Sequence, residues 1–89
     1  MAQATVLASG DTRATSSDIT VASGSSVTVG LFVSSGTVQP GSRAVVFIDT
    51  PGTDNKEVEL DHRIKQTVIS GPGTFRVIRE EGSFGVYTE

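Results

Sequence analysis

The single imidazole of the chain, His62, is the side chain best suited to acid–base catalysis near neutral pH. It stands between Asp61 and Arg63, and eleven serines could supply a nucleophile. None of those serines lies in the Gly-x-Ser-x-Gly turn of a hydrolase. Neighbouring residues of a strand point to opposite faces, so Asp61 is badly placed to orient the imidazole. We therefore predict that His62 is solvated and that the chain carries no catalytic residue.

Two groups of acidic side chains could support other chemistry. Asp49, Asp54 and Asn55 flank a Pro-Gly turn and offer the oxygen ligands that Ca²⁺ prefers, but their spacing does not match an EF-hand loop. Glu80 and Glu81 are adjacent, whereas paired catalytic carboxylates approach a bond from separate positions. Asp and Asn are ordinary turn residues. We predict no metal site and no cofactor.

Length and composition limit the class of protein. A chain of 89 residues forms one domain with a thin core, which leaves little room for a catalytic cleft. Its net charge of -3 has the wrong sign for neutralising nucleic-acid phosphates. It contains no Cys, no apolar run of membrane-spanning length and no secretory signal pattern at its start. We expect a protein that is not an enzyme and that binds neither nucleic acid nor a membrane.

From residue 18 onward, apolar residues recur with a period of two, which is typical of β-strands. In residues 26–34, four apolar side chains alternate with Thr28, Gly30, Phe32 and Ser34. Further strands are predicted at residues 19–21, 43–49, 56–61, 65–70, 74–79 and 83–88. Pro-Gly pairs at 40–41 and 51–52 predict turns.

Seven or eight short strands separated by Gly and Pro turns favour an all-β fold. We predict a small antiparallel β-sandwich or jelly-roll-like domain over residues 18–89, with a partly open β-barrel as the alternative. Gly82 after Glu81 predicts a tight hairpin between the last two strands. Phe84 and Tyr87 could form a surface patch near the C-terminus, but we expect them in the core, as is usual for aromatic residues of a terminal strand.

Residues 1–17 are rich in Ala, Ser and Thr and contain one apolar cluster, residues 5–8. We interpret them as an N-terminal arm or edge segment, in which the cluster could form one short edge strand. If they are an arm, deleting residues 2–16 should leave the β fold intact.

Four segments of the chain resemble small tailed-bacteriophage virion proteins, which are short, Cys-free β proteins encoded with head genes. The segments are residues 27–32 (VTVGLF), 45–48 (VVFI), 68–79 (VISGPGTFRVIR) and 84–87 (FGVY). The similarity extends over residues 17–88, and its most specific element is residues 69–77 (ISGPGTFRV).

This resemblance implies a structural virion protein, specifically a capsid decoration (cement) protein. Such a protein binds the outside of a bacteriophage head and stabilises contacts between major capsid proteins. Its partners would be the major capsid protein and further copies of itself on the capsid lattice. It would be made in the host cytoplasm and located on the capsid surface of the virion. The resemblance assigns no binding residue to this chain.

Other binding functions stay open. One alternative is a phage tail or fibre module that contacts the host surface or another virion protein, although one Tyr and no Trp offer few rings for stacking on sugars. Another is a cytoplasmic adaptor that pairs with a partner at a sheet edge.

Overall fold

The computed structural model describes residues 3–89, and every regular element in that range is a strand. The strands are β1 (Ala4–Gly10), β2 (Ala14–Thr15), β3 (Ile19–Val21), β4 (Ser26–Phe32), β5 (Arg43–Ile48), β6 (Asn55–Asp61), β7 (Gln66–Ser70), β8 (Gly73–Glu81) and β9 (Phe84–Thr88). Residues 3–89 include no helix that could span a membrane.

Two antiparallel sheets make up the fold. Sheet I has the order β1-β9-β4-β7, and sheet II has the order β2-β8-β5-β6, with β3 also paired to β8. The prediction of a small all-β sandwich is confirmed, with nine strands instead of seven or eight. The alternative prediction, a partly open β-barrel, does not apply, because the strands form two separate sheets.

The core lies between the sheets, and strand alternation places it there. Every second residue of β4, β5, β8 and β9 points inward, which is the period-two pattern that the sequence displays. The fully buried large side chains are Val29, Val46, Leu60, Phe75, Val77, Phe84 and Val86. Burial of this apolar surface is the main force that holds the sheets together.

The N-terminal segment is part of both sheets. β1 pairs with β9 along one edge of sheet I, with two register irregularities, and β2 pairs with β8 in sheet II. Between the sheets, buried Ser16 accepts a hydrogen bond from the Val77 amide at 2.9 Å through its hydroxyl. Residues 4–17 run along the edges of the two sheets and do not project from the domain as an arm. Met1 and Ala2 lie outside the described residues.

The predicted hairpin between the last two strands is wrong. β8 belongs to sheet II and β9 to sheet I, so the chain crosses between sheets at residues 82–83. The reason is that both sides of β8 are already occupied, by β5 on one side and by β2 and β3 on the other. Gly82, with a φ of 99°, makes the sharp bend of this crossing instead of closing a hairpin.

The Pro40-Gly41 turn is confirmed. The amide of Ser42 donates to the carbonyl of Gln39 at 3.1 Å, and Gly41 has a φ of 91°. A positive φ at the third residue is what a type II turn requires.

Among residues 3–89, Arg79 is the one charged side chain that is buried. Its guanidinium donates to three backbone carbonyls, those of Thr12 (2.6 Å), Ala8 (3.0 Å) and Phe84 (2.7 Å). Gly10 leaves room for it, since a Cβ there would lie 2.9 Å from Nη2. Arg79 thus connects β1 and the loop after it to the crossing between β8 and β9. The three carbonyl hydrogen bonds offset part of the free energy that the guanidinium loses when it is removed from water.

Candidate interaction surface

The outer face of sheet I differs in charge from the rest of the molecule. The four strands of this sheet contain no Asp, Glu, Lys, Arg or His. The strands of sheet II contain nine such residues. The strand residues that point away from the core on sheet I are Thr5, Ser26, Thr28, Gly30, Phe32, Gln66, Val68, Ser70, Gly85 and Tyr87. We call this surface the neutral face.

One acidic residue borders the neutral face. Glu89 follows β9 and exchanges two backbone hydrogen bonds with Thr28, at 2.9 and 3.0 Å. This pairing puts Glu89 directly opposite Thr28 on the outward face, so one carboxylate lies beside Thr28, two residues along the strand from Tyr87.

Two aromatic rings occupy the centre of the neutral face. The register places Phe32 of β4 opposite Gly85 of β9, and Tyr87 of β9 opposite Gly30 of β4. The rings of Phe32 and Tyr87 contact edge to face, with centroids 6.4 Å apart and planes at 63°. The hydroxyl of Tyr87 donates to Oε1 of Gln66 at 3.2 Å, which fixes the ring across three strands.

A shallow groove of about 560 Å³ runs beside these rings. It is lined by Gln3, Ala4, Thr5, Leu31, Phe32 and Tyr87. These side chains include no carboxylate, amine, imidazole or thiol, so the groove suits a neutral or apolar surface.

The outer face of sheet II is covered by ion pairs. Arg76 bonds Asp18 at 2.9 Å and Asp54 at 2.6 Å. These two carboxylates, Asp54 first, raise the pKa of the Arg76 guanidinium. Arg13 pairs with Glu80 at 3.0 Å, and two further pairs join Lys56 to Glu59 and Arg63 to Asp61. Solvated pairs of this kind contribute little to stability and make the face strongly hydrated.

His62 follows β6 in a turn at one end of sheet II. Oδ1 of Asp61 accepts the backbone amides of Arg63 at 2.8 Å and Ile64 at 3.0 Å, so this carboxylate closes the turn and is not hydrogen-bonded to the imidazole. Those bonds, that of Ile64 first, lower the pKa of Asp61.

The turn opens onto a cleft of about 420 Å³, where His62 lies with Ser42, Glu59 and Glu81. Sequence reasoning did not foresee that Glu81 and His62 line one cleft.

The other acidic candidates take part in ion pairs or turns. Asp54 is bonded to Arg76, and Glu80 to Arg13. Within residues 3–89, no group of three or more His, Cys, Asp or Glu side chains could hold a metal ion.

Tyr87 corrects the expectation that both C-terminal aromatic residues are in the core. Phe84 is fully buried between the sheets, whereas Tyr87 is half-buried on the outer surface. The signal was present in the sequence, because residues 84 and 87 differ by an odd number and must lie on opposite faces of one strand.

Comparison with protein-family models, with curated proteins and with solved structures finds no match to this chain.

Proposed function

We propose that this chain is a structural virion protein, a capsid decoration protein that docks on the outside of a bacteriophage head through the neutral face. The observation that carries the docking is the absence of charged side chains from all four strands of sheet I. The resemblance of residues 17–88 to small tailed-phage virion proteins supports the major capsid protein as the partner.

The chemistry of the neutral face favours a protein partner. The centres of protein–protein interfaces are depleted of charged residues and enriched in Tyr and Phe. Phe32 and Tyr87 provide such a centre, and the groove beside them can receive an apolar side chain. Docking would remove few charges from water, which keeps its desolvation cost low.

The rigid backbone of the neutral face also favours docking. Its residues lie on paired strands, so little conformational freedom is lost when a partner binds. On a capsid lattice, where many copies bind side by side, a modest affinity per copy is enough to stabilise the shell.

Co-sedimentation with phage heads tests this function. The heads come from a tailed phage whose genome encodes this chain or a close relative, with that gene deleted. We expect saturable binding at a copy number that matches the capsid lattice. If the protein does not bind heads but adheres to host cells, the tail or fibre alternative replaces the proposal.

Two double variants test the face. Thr5→Glu with Thr28→Glu places two added negative charges on the neutral face, and we expect it to weaken binding at least about tenfold, because each carboxylate must be desolvated on docking. Thr15→Glu with Thr20→Glu is the matched control, since these threonines face outward on sheet II. Equal binding by both variants would exclude the neutral face as the docking surface.

A further inference from the structure

The edges of the two sheets are not equally protected against pairing with another strand. An exposed edge is usually protected by charge, by proline, by irregularity or by shortness. β6 carries Lys56, Glu57, Glu59 and Asp61, together with a register shift. β1 has two register irregularities, and β2 and β3 have only two and three residues.

β7 is the exception among the described edges. Its five residues, QTVIS, contain no charge and no proline, and its pairing with β4 is regular along the whole strand. Val68 at its centre is 62% exposed, and Ile64 just before it is 53% exposed. These two are the large apolar side chains with the highest exposure in the described chain.

The backbone of β7 presents a defined set of hydrogen-bonding groups at this edge. The amide of Leu31 donates to the carbonyl of Lys65, and the amide of Gly71 donates to that of Ser25. Because alternate residues of an antiparallel strand face the same neighbour, the odd-numbered residues of β7 pair with β4. The N–H and C=O groups of Gln66, Val68 and Ser70 therefore point to the open edge.

We propose that β7 pairs antiparallel with β7 of a second copy of this chain, about a two-fold axis at Val68. In that register Val68 faces Val68 of the second copy, and Gln66 faces Ser70. All three N–H and all three C=O groups of each edge then find a partner, and the two copies form one eight-stranded sheet. A register shifted by two residues leaves groups unpaired at both ends.

The side chains also fit a second copy. The register puts apolar Val68 against itself and polar Gln66 against polar Ser70, which are favourable cross-strand pairs. It brings exposed Ile64 near Pro72 of the second copy and Lys65 near Gly71, so no like charges meet. The strand itself is uncharged, and the net charge of -3 therefore opposes this contact only at long range.

Pairing of two copies does not require the capsid partner proposed above, so the purified chain suffices for the test. Sedimentation velocity over about 1 μM to about 1 mM should show a reversible monomer–dimer equilibrium. Val68→Pro removes the outward N–H of residue 68 in each of the two copies. It leaves the hydrogen bonds between β7 and β4 intact, because proline is tolerated on an edge strand where its nitrogen faces away from the neighbour. We expect it to weaken dimerisation at least about tenfold. Val68→Thr, which keeps the N–H and the β-branched shape, is the matched control.

Cross-linking tests the register, since the chain contains no Cys of its own. Val68→Cys should form a disulfide-linked dimer under mild oxidation, whereas Thr5→Cys, exposed on the opposite edge of sheet I, should not. Gln66→Cys and Ser70→Cys should each fail to link with themselves but should link with one another when mixed. A chain that stays monomeric throughout the concentration range, or a Val68→Pro variant that dimerises like the parent with an unchanged circular dichroism spectrum, overturns the proposal.

Discussion

The ring of Tyr87 lies over Gly30, the residue directly opposite it on the neighbouring strand, so that a Cβ on Gly30 would be 2.6 Å from the ring. Two residues along the same strand pair, the ring of Phe32 lies over Gly85 in the same way, and a Cβ on Gly85 would collide with it. Each ring shields backbone that a glycine leaves bare, and each glycine lets a ring pack directly against the backbone of the neighbouring strand. The aromatic centre of the neutral face depends on these two pairs.

Gly30→Ala tests this dependence. Its new methyl group cannot share space with the Tyr87 ring, so the ring must tilt outward and its hydrogen bond to Gln66 must break. We expect the free energy of unfolding to fall by about 1–3 kcal/mol, as for other overpacked sites. Urea denaturation followed by circular dichroism measures the change.

A double-mutant cycle isolates the ring as the cause. In the Tyr87→Ala background the space above residue 30 is open, so Gly30→Ala should cost much less there than in the parent. Equal costs in both backgrounds would mean that the ring does not limit residue 30 and that β4 is sensitive to substitution for another reason.

The sequence predicts the strands well because burial on one face imposes a period of two. Residues 26–34 illustrate this, since Val29 and Leu31 are in the core and Phe32 points outward, as the alternation requires. Strand partners were harder to predict. The assumption that adjacent strands form a hairpin fails at Gly82, because pairing depends on which edges are already occupied by distant segments.

The candidate surface was not predictable to the same degree. The lack of charge in four separate segments is visible in the sequence, but only the topology shows that these segments share one sheet. Alternation also places Arg79 on the same face as Phe75 and Val77. A charged residue on a core face is unexpected, and its role follows only from the three carbonyls that converge on it.

Arg79→Met should destabilise the fold strongly. Methionine replaces the apolar stem but leaves the carbonyls of Ala8, Thr12 and Phe84 without their donor, and we expect a loss of about 3–5 kcal/mol. Arg76→Met is the matched control on the opposite face of β8, where the loss of the solvated ion pairs to Asp18 and Asp54 should cost far less. Thermal and urea unfolding of both variants measure the difference, and similar losses would show that the buried hydrogen bonds of Arg79 contribute little.

Deletion of residues 2–10 should abolish or severely weaken folding, in contrast to the behaviour of a detachable arm. The deletion removes β1, exposes the edge of β9 and takes away the Ala8 carbonyl that Arg79 binds. Circular dichroism near 215 nm and the melting temperature report the outcome. A shorter deletion, of Ala2 and Gln3 alone, leaves β1 in place and should change neither. Retention of the parent spectrum and melting temperature by the longer deletion would show that β1 is dispensable.

The turn closed by Asp61 should make stability depend on pH in a predictable direction. Hydrogen bonds from the amides of Ile64 and Arg63 lower the pKa of Asp61 in the folded state below its ordinary value of 3.8. A carboxyl group whose pKa is lower in the folded state than in the unfolded state stabilises the fold at pH values above its unfolded-state pKa. This contribution is lost as the pH falls through the folded-state pKa. Asp61→Ala should therefore be less stable than the parent near neutral pH, and the difference should shrink in strong acid, where the protonated carboxyl keeps only the weaker acceptance of a neutral carbonyl.

Asp61→Asn separates the charge from the hydrogen bonds. Its side-chain carbonyl can still accept the two amides but does not titrate, so its stability at neutral pH should lie between those of the parent and of Asp61→Ala. Urea midpoints for the three proteins at about pH 7, about pH 4 and about pH 2 give the comparison, spanning the ordinary range of a carboxyl. If the gap between the parent and Asp61→Ala stays constant over this range, the ionised carboxylate does not stabilise the turn, and the loss comes from the shape of the side chain alone.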